Sequence, residues 1–173
     1  QQKLLNPLSN NLHTPKELNL LNEALAVHCK PFAELVAAEL YDILRLRQQV
    51  FILEQSCLYL DTDGYDEAAH HLMIYNKQKD LVAYSRLFGL NMPYAGYLSI
   101  GRVVTNPRFR GLSYGRILMR HSIEQVRSIH GPHPIKIGAQ AYLIGFYSSL
   151  GFRSTDQRYL EDGIPHLKMI LDL

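Results

Sequence analysis

Residues 103–119 read VVTNPRFRGLSYGRILM, and the junction from Arg108 to Gly115 governs how the rest of the chain is read. Val103, Val104 and Thr105 close a β-branched strand pattern, and Asn106-Pro107 is a turn signal. Beyond the loop, Leu118, Met119, Ile123, Val126 and Ile129 recur at helical spacing. The chain thus runs from strand to helix through RFRGLSYG. A helix start points its first, unpaired amides outward and carries the positive end of the helix dipole. Gly111 and Gly115 remove the Cβ atoms that would hold a phosphate away, while Arg110 and Arg116 add mobile charge at the rim. Neither GxxxxGK(S/T) nor GxGxxG is present, so the loop is neither a P-loop nor a dinucleotide fingerprint. Ser113 stands where glycine would be most permissive. A serine can serve there if its φ stays negative.

Downstream, Gly131-Pro132 stops the helix, PIKIGAQ reads as a short buried strand, and AYLIGFYSSLGF as a helix closing at Gly151. The last stretch, RSTDQRYLEDGIPHLKMILDL, reads as a hairpin turning at Asp162-Gly163. Upstream, YLSIGRVVT is a strand, and HHLMIYN and LVAYSRLF form a hairpin across the polar KQKD. AAELYDILRLRQQVFILEQ has helical periodicity, with Arg45 and Arg47 read as solvated, a cleft-facing position for one of them being the alternative. The acidic QSCLYLDTDGYDEAA reads as a solvated, turn-rich segment that could attract a cationic amine. Residues 1–24 are taken as an extension, partly helical after Thr14-Pro15, and residues 25–173 as a single domain. Mixed strands and helices with antiparallel hairpins define an α+β, or mixed α/β, architecture.

Composition narrows the function classes. With 47% apolar and 20% charged residues the chain is ordinary globular material. A net charge of +2 is too small to make nucleic acid the main partner. No apolar run approaches the roughly 20 residues of a membrane span, and no secretory signal is read, so a cytoplasmic protein is expected. Cys29 and Cys57 match no zinc or CxxC spacing and are read as reduced thiols. The histidines form no ligand pair at helical spacing, and the adjacent His70 and His71 point apart, so no metal is expected.

VVTNPRFRGLSYGRILM resembles motif A of the GNAT superfamily of N-acetyltransferases, a strand, then (Q/R)xxGx(G/A), then a helix; the pattern falls on Arg110, Ser113 and Gly115. QAYLIGFYSSLGF resembles the second signature, NxxAxxFYxxxGF, with Gln140 and Leu143 departing while Phe146, Tyr147, Gly151 and Phe152 match. With RLRQQVFILEQ, DTDGYDE, LVAYSRL, IGRVV, GAQAYL and EDGIPH, the chain is similar to the ElaA-type branch over residues 38–173. The resemblance implies a mixed, mostly antiparallel sheet of about seven strands, splayed in the middle around acetyl-CoA, with helices on both faces. By position it implies that Val103, Val104 and Thr105 offer backbone to pantetheine. Arg110, Gly111, Leu112, Ser113, Tyr114, Gly115 and Arg116 would hold the pyrophosphate, and Gln140 and Phe146 would line the other wall.

The implied reaction moves acetyl from a thioester to a primary amine of a small molecule or peptide by direct attack. Tyr147 stands where a hydroxyl protonates the leaving sulfur. A lysine-like amine is neutral in on the order of one molecule in two thousand at pH 7, so a base helps; Glu54 and His166 are the candidates. Ser99 and Arg102 are candidates for orienting the acceptor. Two other readings stand beside this one. The degenerate Ser113, Gln140 and Leu143 admit a CoA-binding module without catalysis, and an arginine-rich VF segment admits an acyl-homoserine-lactone synthase-like enzyme, against which the absence of tryptophan speaks. A homodimer through the last strands or the extension is one assembly option.

Overall fold

A computed structural model describes residues 25–173, so the expected N-terminal extension lies outside the described residues. The strand signals produce seven strands: β1 (Ala26–Pro31), β2 (His70–Tyr75), β3 (Leu81–Phe88), β4 (Leu98–Thr105), β5 (Ile135–Gln140), β6 (Arg153–Glu161) and β7 (Ile164–Leu171). Among the described residues three α-helices join them, α1 (Ala37–Arg47), α2 (Tyr114–His130) and α3 (Ile144–Ser148). The strands form one sheet in the order β1-β2-β3-β4-β5-β7-β6. Every neighbouring pair is antiparallel except β4 and β5, which run parallel.

The sequence LVAYSRLF of β3 is buried along its whole length, as a central strand covered on both faces must be. On one face the apolar stripe of α2, Ile117, Leu118, Met119 and Val126, packs on Leu72, Ile74 and Leu98. On the other, Ile43 and Leu46 of α1, with Val50, pack on Met73, Tyr84 and Val104. Each such side chain contributes roughly 1.5–3 kcal/mol relative to exposure, so β3 and β4 are clamped from both sides.

Two departures from regularity shape the middle of the sheet. β4 and β5 pair only through Leu98↔Ile135 and Ser99↔Lys136, after which no register pair joins them. β4 also bulges: Tyr84 pairs with Val104 but Arg86 with Gly101, so Arg102 and Val103 together oppose Ser85. Arg102 takes the left-handed φ of +50° there. The sheet therefore opens beyond Ser99.

The helix expected over 37–55 is α-helical only as far as Arg47; Gln48–Glu54 is a π-helix, closed by Gln55 N–H donating to Val50 O at 3.1 Å. The wider turn re-aims the side chains that follow, and both Phe51 and Gln55 reach the opening in the sheet. The helix expected over 141–152 shortens to a 3₁₀ turn at Ala141–Leu143 followed by α3.

Alternation fixes the faces of the C-terminal half. Ile135, Ile137, Ala139, Leu167 and Met169 are buried in the core. Lys136, Gly138 and Gln140 alternate with them on β5, and the pairs Gly138↔Lys168 and Gln140↔His166 put the β7 residues on the same face. The pair Tyr159↔His166 adds Tyr159 from β6. That polar face is one wall of the site.

Candidate active site

The opening between β4 and β5 is a cavity of about 300 Å³. Ser99, Gly101, Arg102 and Val103 line it from β4, Gly138 and Gln140 from β5, and Tyr159, Glu161 and His166 from the last hairpin. Tyr147 reaches it from α3. Of the residues singled out from the sequence, Tyr147, His166, Gln140, Ser99, Arg102 and Val103 are thus brought together. Val104 and Thr105 are buried and pair with Tyr84 and Ala83 of β3. Phe146 is buried edge-on to Tyr147, ring centres 5.1 Å apart.

Tyr147 is only 5% exposed. Burial pushes its hydroxyl well above the ordinary phenol range, with a smaller contribution from nearby Tyr142. It therefore holds its proton throughout neutral pH. His166 Nδ1 lies 2.8 Å from Ile164 O. A carbonyl only accepts, so the proton sits on Nδ1, and Nε2 of the neutral ring keeps the lone pair. The imidazole stacks on Tyr159, 5.5 Å between centres.

Glu54 is placed differently. Its carboxylate accepts from Arg110 Nη2 at 2.9 Å and is not part of the cavity wall. The pair ties the π-helix to the RFRGLSYG loop. That loop delivers Gly111 at φ +88° and Ser113 at φ +59° to the start of α2. The negative φ expected for Ser113 is corrected: the backbone turns left-handed here to aim Tyr114 N–H and Gly115 N–H outward, and serine accepts the strain instead of glycine. Arg116 donates to Ser149 Oγ at 2.9 Å, and its guanidinium lies 6.0 Å from the Phe146 ring centre. A more open groove, about 410 Å³, runs along α2 with Arg116, Arg120, Arg127 and Ser149 on its walls.

The solvated reading of Arg47 and of the acidic turn is also corrected. Arg47 is fully buried, donating from Nε to Asp61 Oδ2 at 2.7 Å, from Nη1 to Asp66 Oδ1 at 2.7 Å and from Nη2 to Asp61 O at 2.8 Å. Arg86 forks onto Asp63 at 2.7 and 2.6 Å and reaches Asp66 at 2.9 Å. Arg102, at the bulge, donates to Asp61 at 2.8 Å and Asp63 at 3.0 Å. Three arginines and three aspartates thus close a network of zero net charge. Burial works against the Asp63 carboxylate, but hydrogen bonds from Arg86 and the Tyr65 amide, with both guanidinium charges, hold its pKa down to about 2. Asp66 is lowered for the same balance of reasons, burial opposed by Arg47 and Arg86. Because Asp63, Arg86 and Arg102 face the cavity, this network is one of its walls. The acidic turn is structural, filled by arginines of the same chain.

Sequence reading missed further wall residues, among them Gln55, Tyr65, Tyr94, Tyr159 and Glu161. The period-2 alternation of β6 and β7 carried the signal for Tyr159 and Glu161. Nothing local marked Tyr94, which arrives from the loop before β4. Cys57 also faces the cavity, but burial and the neighbouring Asp162 raise its pKa. Its thiol donates to Gln55 O at 3.5 Å and Asp162 O at 3.8 Å. A thiol held protonated is a poor nucleophile.

Among the described residues no group of three His, Cys, Asp or Glu could hold a metal ion, and no helix is long and apolar enough to cross a membrane.

A sheet of this order, open between its one parallel pair and followed by a glycine-bearing loop and helix, defines an acyltransferase of the GNAT kind. Residues 49–173 match the family model described as "Acetyltransferase (GNAT) domain", and the chain belongs to that family. Within it the chain is of the ElaA type. It is 38% identical to Protein ElaA of Escherichia coli over 138 residues, 79% of this chain and 90% of that protein. The crystal structure of E. coli ElaA superposes with a TM-score of 0.78 at 35% identity, covering 86% of this chain and 99% of the other. An acyl-CoA N-acyltransferase from Pseudomonas aeruginosa gives 0.80 at 37% identity, again over 86% and 99%. A Bacillus subtilis acetyltransferase solved in complex with CoA shares the fold, with a TM-score of 0.59 at 20% identity over 86% and 99%.

Proposed function

We propose that the protein transfers an acetyl group from acetyl-CoA to a primary amine of a small molecule or peptide by direct attack. The observation that carries this is the placement of the Tyr147 hydroxyl, protonated and buried, in the same cavity as His166. The residues present fit a CoA-type cofactor: the unpaired edges of β4 and β5 leave room for one extended pantetheine chain, its amides meeting strand backbone at Val103 and beyond. The outward amides of Tyr114 and Gly115 and the arginine groove along α2 would take its phosphates. The bound thioester supplies the activated acyl carbon.

His166 Nε2 accepts the proton that the attacking amine must lose, directly or through a water. Tyr147 first donates a hydrogen bond to the sulfur, then its proton as the thiolate departs. Glu54 acts by fixing Arg110 and the cradle loop. Gln140, bonded to Gln55 at 3.3 Å, and Ser99 and Arg102 on the opposite edge set the width of the cleft for the acceptor. Direct attack is favoured over an acyl-enzyme because Cys57, the thiol in the cavity wall, is held protonated.

Release of free thiol from acetyl-CoA across a panel of amines tests the reading, with calorimetric titration of CoA beside it. CoA binding with turnover that falls at least tenfold in Tyr147→Phe supports it. CoA binding without turnover on any amine would leave a non-catalytic CoA module, and no CoA binding at all would remove both.

A further inference from the structure

Facing the cleft from β5 is a glycine, Gly138, over which three polar atoms converge. A Cβ at this position would collide with the Tyr159 hydroxyl and would lie 3.4 Å from Lys168 Nζ and 3.5 Å from the Tyr94 hydroxyl. Lys168 Nζ donates to both phenols, at 2.9 Å each, and lies 4.0 Å from the Tyr159 ring centre and 4.7 Å from that of Tyr94. Lys136, on the same strand face, adds a second ammonium 5.5 Å from the Tyr94 ring.

The donor count is what matters. An ammonium only donates, so each phenol oxygen spends its lone pair on Lys168 and keeps its own O–H for another acceptor. Among the described residues neither hydroxyl has such an acceptor, and Lys168 forms no ion pair with a carboxylate. Tyr94, Tyr159 and Gly138 all face the cavity. Burial acts against the charge on Lys168, but its bonds to Tyr159 and Tyr94 raise its pKa, so it stays cationic. Two outward O–H groups backed by a positive charge fit a carboxylate.

We infer that the Tyr94–Tyr159–Lys168 corner of the cleft is a carboxylate subsite, and that the acceptor is an amino acid-like compound carrying both an amine and a carboxylate. This deepens the acyl-transfer reading and rests on it. Lys168 and His166 are two residues apart on one strand face, about 7 Å along the strand. An amine at His166 and a carboxylate at the corner therefore suit a spacer of a few carbon atoms. Diamines, which would bring a second cation against Lys168, are disfavoured.

The test uses two product-like probes of one shape, 4-acetamidobutyrate and its neutral amide 4-acetamidobutanamide, titrated calorimetrically into the protein with and without CoA. The carboxylate is expected to bind at least about tenfold more tightly than the amide, as a charge-assisted pair in a partly buried corner requires. In Lys168→Met the preference should shrink to within about twofold. Tyr94→Phe, which changes only a loop side chain and leaves the sheet intact, should lower it about threefold or more while CoA affinity is unchanged. Equal binding of the two probes, binding of neither, or a preference that persists in folded Lys168→Met or in Tyr94→Phe overturns the inference. Failure of the acyl-transfer reading appears separately, as loss of CoA binding or turnover in the wild type.

Discussion

Replacing Arg47 with methionine isolates what the closed network contributes. The side chain is fully buried and makes three hydrogen bonds at 2.7, 2.7 and 2.8 Å, two of them to carboxylates. Methionine fills much of the volume but leaves three aspartates facing two arginines, a buried excess of one negative charge. Breaking a buried pair by removing one partner costs about 3–5 kcal/mol, against a total stability of about 5–15 kcal/mol for a domain. For a chain of this size that corresponds to a Tm lower by about 6–20 °C. Urea unfolding followed by far-UV circular dichroism suits a chain without tryptophan, and an unchanged m-value would show that the denatured state is not responsible. The double variant Arg47→Met with Asp66→Asn restores neutrality. It should be more stable than the sum of the single changes predicts by about 1–3 kcal/mol. A cost below about 1 kcal/mol for Arg47→Met, or simple additivity in the double variant, would refute the claim that charge balance, not packing, holds this wall.

In Tyr147→Phe, kcat should fall at least tenfold while KM for acetyl-CoA changes less than about threefold, read from initial rates. Because burial keeps the Tyr147 phenol protonated, the wild-type rate should show no loss attributable to it on the alkaline side up to about pH 10; such a limb, abolished in the phenylalanine variant, would contradict the assignment. Stability should decline with acid in two stages, measured as Tm against pH. Burial lowers the pKa of His71 and His130, so the unfolded chain takes up protons first and stability is lost as pH falls below about 6.5. Asp63 and Asp66 have lowered pKa values, so their contribution is intact above about pH 4 and is lost as pH drops toward 2. A Tm constant from pH 7 to 3 would contradict both. Ser113→Gly should raise stability by up to about 1 kcal/mol by relieving the left-handed backbone, with CoA affinity held within about threefold if the proposed contact there is made by backbone alone.

Much of the scaffold was legible because its signals are local. Strand alternation, the Asp162-Gly163 turn, the Gly131 stop and the strand–loop–helix order around RFRGLSYG each depend on neighbours in sequence and appear where expected, whereas the helices expected over 37–55 and 141–152 are shorter. Tyr147, Gln140 and His166 were found through the resemblance of whole signatures. What was not legible depends on distance along the chain. Arg47 shares the helical spacing of the core residues Ile43 and Val50, but its charge argued for solvent, because its partners Asp61 and Asp66 lie 14 and 19 residues away. Arg102 meets Asp63 across 39 residues and only because a bulge turns it. Ser113 shows a different limit: residue identity suggested a right-handed φ, and the demand of the loop prevailed over that preference.

The short parallel contact between β4 and β5 bears on association between molecules as well as on ligand binding. Unpaired strand edges are where chains add to one another and aggregate. Here two edges open toward each other in the interior of the sheet, flanked by α2, the arginine–aspartate wall and the last hairpin. A slim extended molecule entering end-on can satisfy them, whereas the flat edge of a neighbouring sheet cannot reach in. The fold keeps a template for one added strand while withholding it from copies of itself.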